Sequence, residues 1–132
     1  MAKIFNKVYL VDDDSIYLFL VKKLLVEQKF SHSIETFENG KLAIERLIDA
    51  EQLNESLPDI IFLDLSMPVM NGWEFLDSFK AAPIENKEKI KIIVMSSSIN
   101  AMEINMIKSY ETVQDYIVKP LTPADLQKLL AL

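Results

Sequence analysis

The chain contains no cysteine, a single histidine and only two glycines in 132 residues, and each scarcity removes a class of chemistry. Without cysteine there are no disulfides, no thiolate-held zinc or iron–sulfur clusters and no thiol nucleophile. The lone His32 excludes a multi-histidine metal centre. Gly40 and Gly72 lie too far apart in the chain for a dinucleotide fingerprint or a Walker loop, so any phosphate chemistry must use another device. Long apolar runs are missing as well. The longest, Ile16 to Val21, falls far short of the ~18–20 residues that cross a bilayer. The segment around Lys3 and Lys7 lacks the apolar core of ~7–15 residues that a signal peptide needs, so the expectation is a cytoplasmic chain without membrane contact. Basic residues are in deficit, 14 Lys and Arg against 20 Asp and Glu, which argues against a nucleic-acid groove, where cations must replace condensed counterions. The length fits one domain, residues 1–132.

What is present is a rhythm. Short apolar runs alternate with longer stretches of helical period, the pattern of parallel strands joined by helical crossovers. Val8 to Val11 reads as a first strand, followed by a helix that Ser15 would cap and whose Tyr17, Leu20, Val21, Leu24 and Leu25 share a face. Ser33 to Phe37 is a weaker second strand, with Asn39 as cap of a helix running through Ala43, Leu47 and Ile48 toward Leu53. Ile60 to Leu63 reads as a strand buried on both faces, and Gly72 opens a third helix with Phe75, Leu76 and Phe79 inside. A polar connection over Pro83 to Lys89 leads to a fourth strand, Ile90 to Met95, and a helix from Ile99 to Tyr110. Tyr116 to Val118 is a short fifth strand, and Thr122, Pro123 and Asp125 signal the start of a last helix reaching Leu132. The expected fold is α/β: a five-stranded parallel sheet with helices on both faces.

In such a sheet, ligands bind beyond the carboxyl ends of the strands, near the point where strand order reverses. Asp12 and Asp13 follow the first strand, Asp64 the third, Ser96 the fourth and Lys119 the fifth. Each residue alone reads more readily as an ordinary loop residue. Together they bring three carboxylates, a hydroxyl and an ammonium to one edge. Clustered carboxylates repel, so the group calls for a shared proton or a bound cation. With oxygen ligands only, the expected ion is hard and divalent, Mg²⁺, which keeps several waters and shares phosphate oxygens. Lys119 adds a point charge suited to phosphate, and Ser96 a hydrogen bond.

These residues carry a resemblance. Val11-Asp12-Asp13-Asp14, then Pro58 to Gly72 with Asp64-Leu65-Ser66-Met67-Pro68 inside it, then Met95-Ser96-Ser97, and last Tyr116-Ile117-Val118-Lys119-Pro120 are similar to the motifs of the receiver domain of bacterial two-component response regulators. The likeness covers essentially the whole chain in the family's motif order. It implies a flavodoxin-like (βα)5 fold of strand order 2-1-3-4-5. It further implies that Asp64 accepts a phosphoryl group from a phosphohistidine on a sensor histidine kinase or histidine phosphotransfer protein. Asp12, Asp13 and Asp64, with the Ser66 main-chain carbonyl, would hold Mg²⁺. Ser96 and Lys119 would bind the phosphoryl oxygens, Tyr116 would be the aromatic switch coupled to Ser96, and the Lys119–Pro120 bond would be cis.

The resemblance also implies output by contact with a target protein through the face formed by the fourth helix, fifth strand and fifth helix, or by relay of the phosphoryl group, in a chain that is a monomer or a weak dimer through that same face. Ser97 stands where Ala or Gly is usual, and Asp14 where Glu is commoner. His32, ahead of the second strand, is expected at the opposite edge. Met67, Met70, Met95, Met102 and Met106 read as packing residues, Trp73 as helix packing, and Gly72 as the pivot of a tight turn. The segments 49–57 and 83–89 have no assigned role. Two other readings compete: a Mg²⁺-dependent phosphohydrolase with an Asp nucleophile, for which Asp12, Asp14 and Ile16 imitate the expected spacing poorly, and a docking domain that is never phosphorylated.

Overall fold

Val8, Tyr9, Leu10 and Val11 are β-branched, aromatic or aliphatic throughout and are all fully buried, as an interior strand of a parallel sheet must be when helices cover both faces. The structure, a computed structural model, describes residues 4–97 and 100–131. Its elements are β1 (Val8–Val11), α1 (Ser15–Glu27), β2 (Ile34–Phe37), α2 (Gly40–Gln52), β3 (Ile60–Asp64), α3 (Gly72–Ala81), β4 (Lys91–Ser96), α4 (Ala101–Lys108), β5 (Val113–Val118) and α5 (Pro123–Leu130). All strand pairs are parallel, in the order β2-β1-β3-β4-β5. Five parallel strands in the 2-1-3-4-5 order thus match the expected α/β, flavodoxin-like architecture. No helix among the described residues is long and apolar enough to cross a membrane.

The two-residue period of a strand sorts the core. Val8, Leu10, Ile60, Phe62, Ile93 and Met95 face α1 and α5, packing on Leu18, Val21, Leu25, Leu126 and Leu129. Tyr9, Val11, Ile61, Leu63 and Ile92 face the other way, onto Ala43, Leu47, Phe75, Leu76 and Phe79 of α2 and α3. A smaller cluster of Leu65, Val94 and Ile107 seats α4.

Helix starts are set by side-chain oxygens. Asn39 caps α2 and Asn100 caps α4, while Asn71 with Glu74 and Thr122 with Asp125 form reciprocal capping boxes at α3 and α5. At α1 the cap is Asp14, whose carboxylate accepts from the N–H groups of Ile16 and Tyr17; Ser15 is the first helical residue, so cap and helix start one position earlier than the sequence reading. The buried face of α1 also differs, because Leu18 is buried while Leu20 is 55% exposed. Ile16, Phe19 and Val26 are exposed too, so apolar residues share the outer face with Lys22 and Lys23 and the period selects the inner face only weakly.

Other boundaries move for local reasons. β5 begins at Val113, earlier than expected, because the polar Gln114 and Asp115 are tolerated as exposed residues on an edge strand. α4 spans Ala101–Lys108, shorter than the expected 99–110; Ile99 lies outside the described residues, as does Leu132. The 83–89 connection is not wholly polar, since Ile84 is buried and Lys87–Lys89 form a 3-10 turn. Met95 and Met67 are buried as packing residues, but Met102 and Met106 on α4 are exposed. Gly72 has no left-handed backbone. Glycine is required there because a Cβ would stand 2.7 Å from the Asp64 carbonyl oxygen and the Leu65 Cα, where α3 crosses the end of β3.

Candidate functional site at the carboxyl edge of the sheet

Strand register decides which side chains meet. Val11 pairs with Leu63, so the next residue on each strand, Asp12 and Asp64, emerges side by side at the β1/β3 boundary, where the strand order reverses. Ser96 pairs with Val118, and the Lys119 N–H continues the ladder by donating to the Ser96 carbonyl at 2.9 Å. Residues far apart in the chain therefore share one edge.

Asp12 is fully buried and Asp64 is 5% exposed, the two buried charged residues of the described chain, while Asp13 is exposed. The three carboxylates each offer an oxygen within 4.8 Å of the others. The Lys119 ammonium reaches Asp12 Oδ2 at 2.6 Å and Asp64 Oδ1 at 3.5 Å. Asp12 Oδ1 also accepts the Asp14 N–H at 2.9 Å, and Asp64 Oδ1 accepts that of Ser66 at 3.4 Å. The Lys119–Pro120 peptide bond is cis.

One ammonium does not balance three carboxylates, and Asp64 registers the imbalance. Burial, then repulsion from the Asp12 carboxylate, lifts its pKa to about 6, against the opposing pull of Lys119 and the Ser66 N–H. Lys119 responds in the other sense: burial lowers its pKa, but the hydrogen bond and charge of Asp12 and the charge of Asp64 outweigh it, and the net shift is upward. A site of oxygen donors with residual negative charge suits a hard divalent cation such as Mg²⁺. The three Asp side chains fit that group on their donor chemistry.

Ser96 is half-buried at the end of β4, and with Ser66 and Trp73 it borders an open cleft of ≈ 530 Å³ between the starts of α3 and α4. Tyr116 is half-buried and packs on the Leu65, Val94 and Ile107 cluster under α4. Trp73 stacks toward Tyr110 with ring centroids 6.1 Å apart, a helix-packing role. His32 is exposed and its N–H donates to the Phe5 carbonyl ahead of β1, at the edge of the sheet away from the carboxylates. Sequence reasoning missed the part played by Tyr17. It placed this residue only on the inner face of α1, whereas the ring centroid lies 4.5 Å from the Lys119 ammonium. The available signal was its position one helical turn after Asp13.

The family model for the response regulator receiver domain matches residues 8–131. The chain belongs to the response regulator receiver family. A crystal structure of a two-component response regulator from Cytophaga hutchinsonii superposes with a TM-score of 0.89 at 30% identity, covering 98% of this chain and 96% of that one. The phosphorylated cyanobacterial phytochrome response regulator RcpA is 28% identical with a TM-score of 0.72, over 95% of this receiver and 88% of that chain. The two-component response regulator ORR1 of Oryza sativa subsp. japonica is 33% identical over 126 residues, which are 94% of this receiver and 53% of ORR1. The receiver thus spans about half the length of that relative.

Proposed function

We propose that this receiver is a phosphorylation switch in which Asp64 takes a phosphoryl group from a phosphohistidine on a sensor histidine kinase or a histidine phosphotransfer protein. The observation that carries the reading is the meeting of Asp12, Asp13 and Asp64 within 4.8 Å, with Lys119 3.5 Å from Asp64. A carboxylate oxygen of Asp64 bonds to phosphorus as the phosphorus–nitrogen bond of the phosphohistidine breaks, and the imidazole nitrogen leaves with the electron pair. Before a cation binds, its pKa of about 6 leaves Asp64 mostly ionised at neutral pH, and so available as a carboxylate nucleophile. Transfer of this kind depends on positioning and charge neutralisation more than on covalent assistance.

Lys119 supplies one positive charge to the phosphoryl oxygens and Ser96 a hydroxyl donor. Asp12, Asp13, Asp64 and the Ser66 main-chain carbonyl are the residues that would hold Mg²⁺; when bound, the ion neutralises the carboxylates and the incoming phosphoryl charge. Engagement of Ser96 by the phosphoryl group and a turn of Tyr116 then shift α4, β5 and α5 between two states. Exposed Met102, Met106 and Val118 support this face as a protein-contact surface, used in a monomer or a weak dimer, to bind a target or before the phosphoryl group is relayed onward. The phosphorylated state of RcpA, a relative of the same fold, supports the same chemistry here.

Incubation with acetyl phosphate and Mg²⁺, followed by intact mass, tests the assignment. The unaltered chain is expected to gain the mass of one phosphate and the Asp64→Asn variant none. A gain that persists in Asp64→Asn overturns it.

A further inference from the structure

We propose that Tyr17 is a positioning residue for Lys119, acting through both its ring and its hydroxyl. This inference rests on the phosphoacceptor reading above. A lysine side chain has four freely rotating bonds, and an ammonium shared between two carboxylates needs further contacts to stay where a phosphoryl group arrives. The Tyr17 ring supplies one, with its centroid 4.5 Å from Nζ, the distance at which the negative face of an aromatic ring attracts a cation.

The hydroxyl supplies a second restraint at the other end of the same segment. Tyr17 Oη accepts the N–H of Leu121 at 3.3 Å and donates toward Met95 Sδ at 3.9 Å. Leu121 lies two residues after Lys119, and Met95 directly precedes Ser96. One side chain on α1 therefore ties together the β5–α5 turn that carries Lys119 and the end of β4 that carries Ser96. Burial raises the pKa of the phenol, against the Leu121 N–H and the Lys119 charge, so the hydroxyl keeps its proton for Met95. A core residue that merely filled space would satisfy packing with any apolar side chain of this size. Tyrosine supplies both at once, a ring facing the ammonium and a hydroxyl on the turn.

Three variants separate the contributions: Tyr17→Phe, Tyr17→pentafluorophenylalanine and Tyr17→Leu. The readouts are the rate of acetyl-phosphate phosphorylation with Mg²⁺ and the NMR shift of the Lys119 ε-methylene protons, which the ring current moves. Tyr17→Phe keeps the ring and is expected to retain the shift with about a 2-fold slower rate, while Tyr17→Leu loses the shift and slows by about 10-fold. Pentafluorophenylalanine preserves the shape of phenylalanine but reverses the charge of the ring face, and it is expected to slow phosphorylation well below the Tyr17→Phe rate. This last comparison stays informative even where Tyr17→Leu does not fold, because a purely structural role predicts equal rates for the two isosteric rings. Equal rates in those two variants, with the unaltered chain phosphorylated normally, overturn the role of Tyr17 alone. Failure of the unaltered chain to be phosphorylated overturns the phosphoacceptor reading and this role with it.

Discussion

Val69 follows Asp64 by five positions and holds a backbone φ of 68°, with the Met70 N–H donating to the Pro68 carbonyl at 2.7 Å. A γ-turn with positive φ at its centre is strained for any side chain and more so for a β-branched one. Val69 is also 74% exposed, so little packing offsets the strain. Val69→Gly is expected to stabilise the protein by about 1 kcal/mol, the relief of ~1–3 kcal/mol of strain less the entropy that glycine loses on folding; urea denaturation measures it, and a destabilised variant would show that the turn is not strained. At this scale the sequence was legible where chemistry coincides with position: Asp12, Asp64, Ser96 and Lys119 could be placed at one edge of the sheet because each ends or directly follows a strand. Tyr17 was legible only as a packing residue on α1, because its partners Met95, Lys119 and Leu121 are remote in the chain and meet it only after the sheet has formed.

Elements position these residues through close approaches, one of which is the crossing of α3 over the end of β3. A methyl group at Gly72 would stand 2.7 Å from two backbone atoms, the Asp64 carbonyl oxygen and the Leu65 Cα, and neither can yield without moving the strand end that carries Asp64. Gly72→Ala is therefore expected to destabilise the fold by about 2–3 kcal/mol and to slow acetyl-phosphate phosphorylation of whatever fraction remains folded. A variant as stable and as reactive as the unaltered chain would contradict the crossing geometry. Strands and helices with a clear period were legible in the sequence: Ile60 to Asp64 is buried at every position, and Phe75, Leu76 and Phe79 turn inward as their spacing requires. Where the period is ambiguous the reading slipped. In α1, Leu18 and Leu20 compete for the inside on a helix with apolar residues on its outer face as well, and Asp14 takes the cap from Ser15 because its carboxylate reaches two N–H groups at 3.0 and 3.1 Å. In β5, exposed polar residues on an edge strand hid its first half.

For the whole molecule, the site is a concentrated source of negative charge within a chain already at a formal −6. Asp64 makes the energetic consequence explicit. Its pKa in the folded chain is about 6 against an ordinary value of 3.8, so the carboxyl ionises more readily once the chain unfolds. Folding is therefore opposed progressively as pH rises through the interval between those values, and the full penalty applies above about 6. Asp64→Asn removes the charge and keeps the shape, while Lys119 retains its 2.6 Å contact with Asp12. In metal-free buffer at neutral pH the variant is expected to be more stable than the unaltered chain by on the order of 1–3 kcal/mol, with the difference vanishing in acid once Asp64 is protonated in both states. Millimolar Mg²⁺ is expected to narrow the gap from the other side, stabilising the unaltered chain by binding its native state and the variant much less. Urea denaturation at several pH values, with and without Mg²⁺, measures both effects. Equal stability of the two proteins at neutral pH would mean that Lys119 already balances Asp64, and the electrostatic case for a cation at this edge would fall with it.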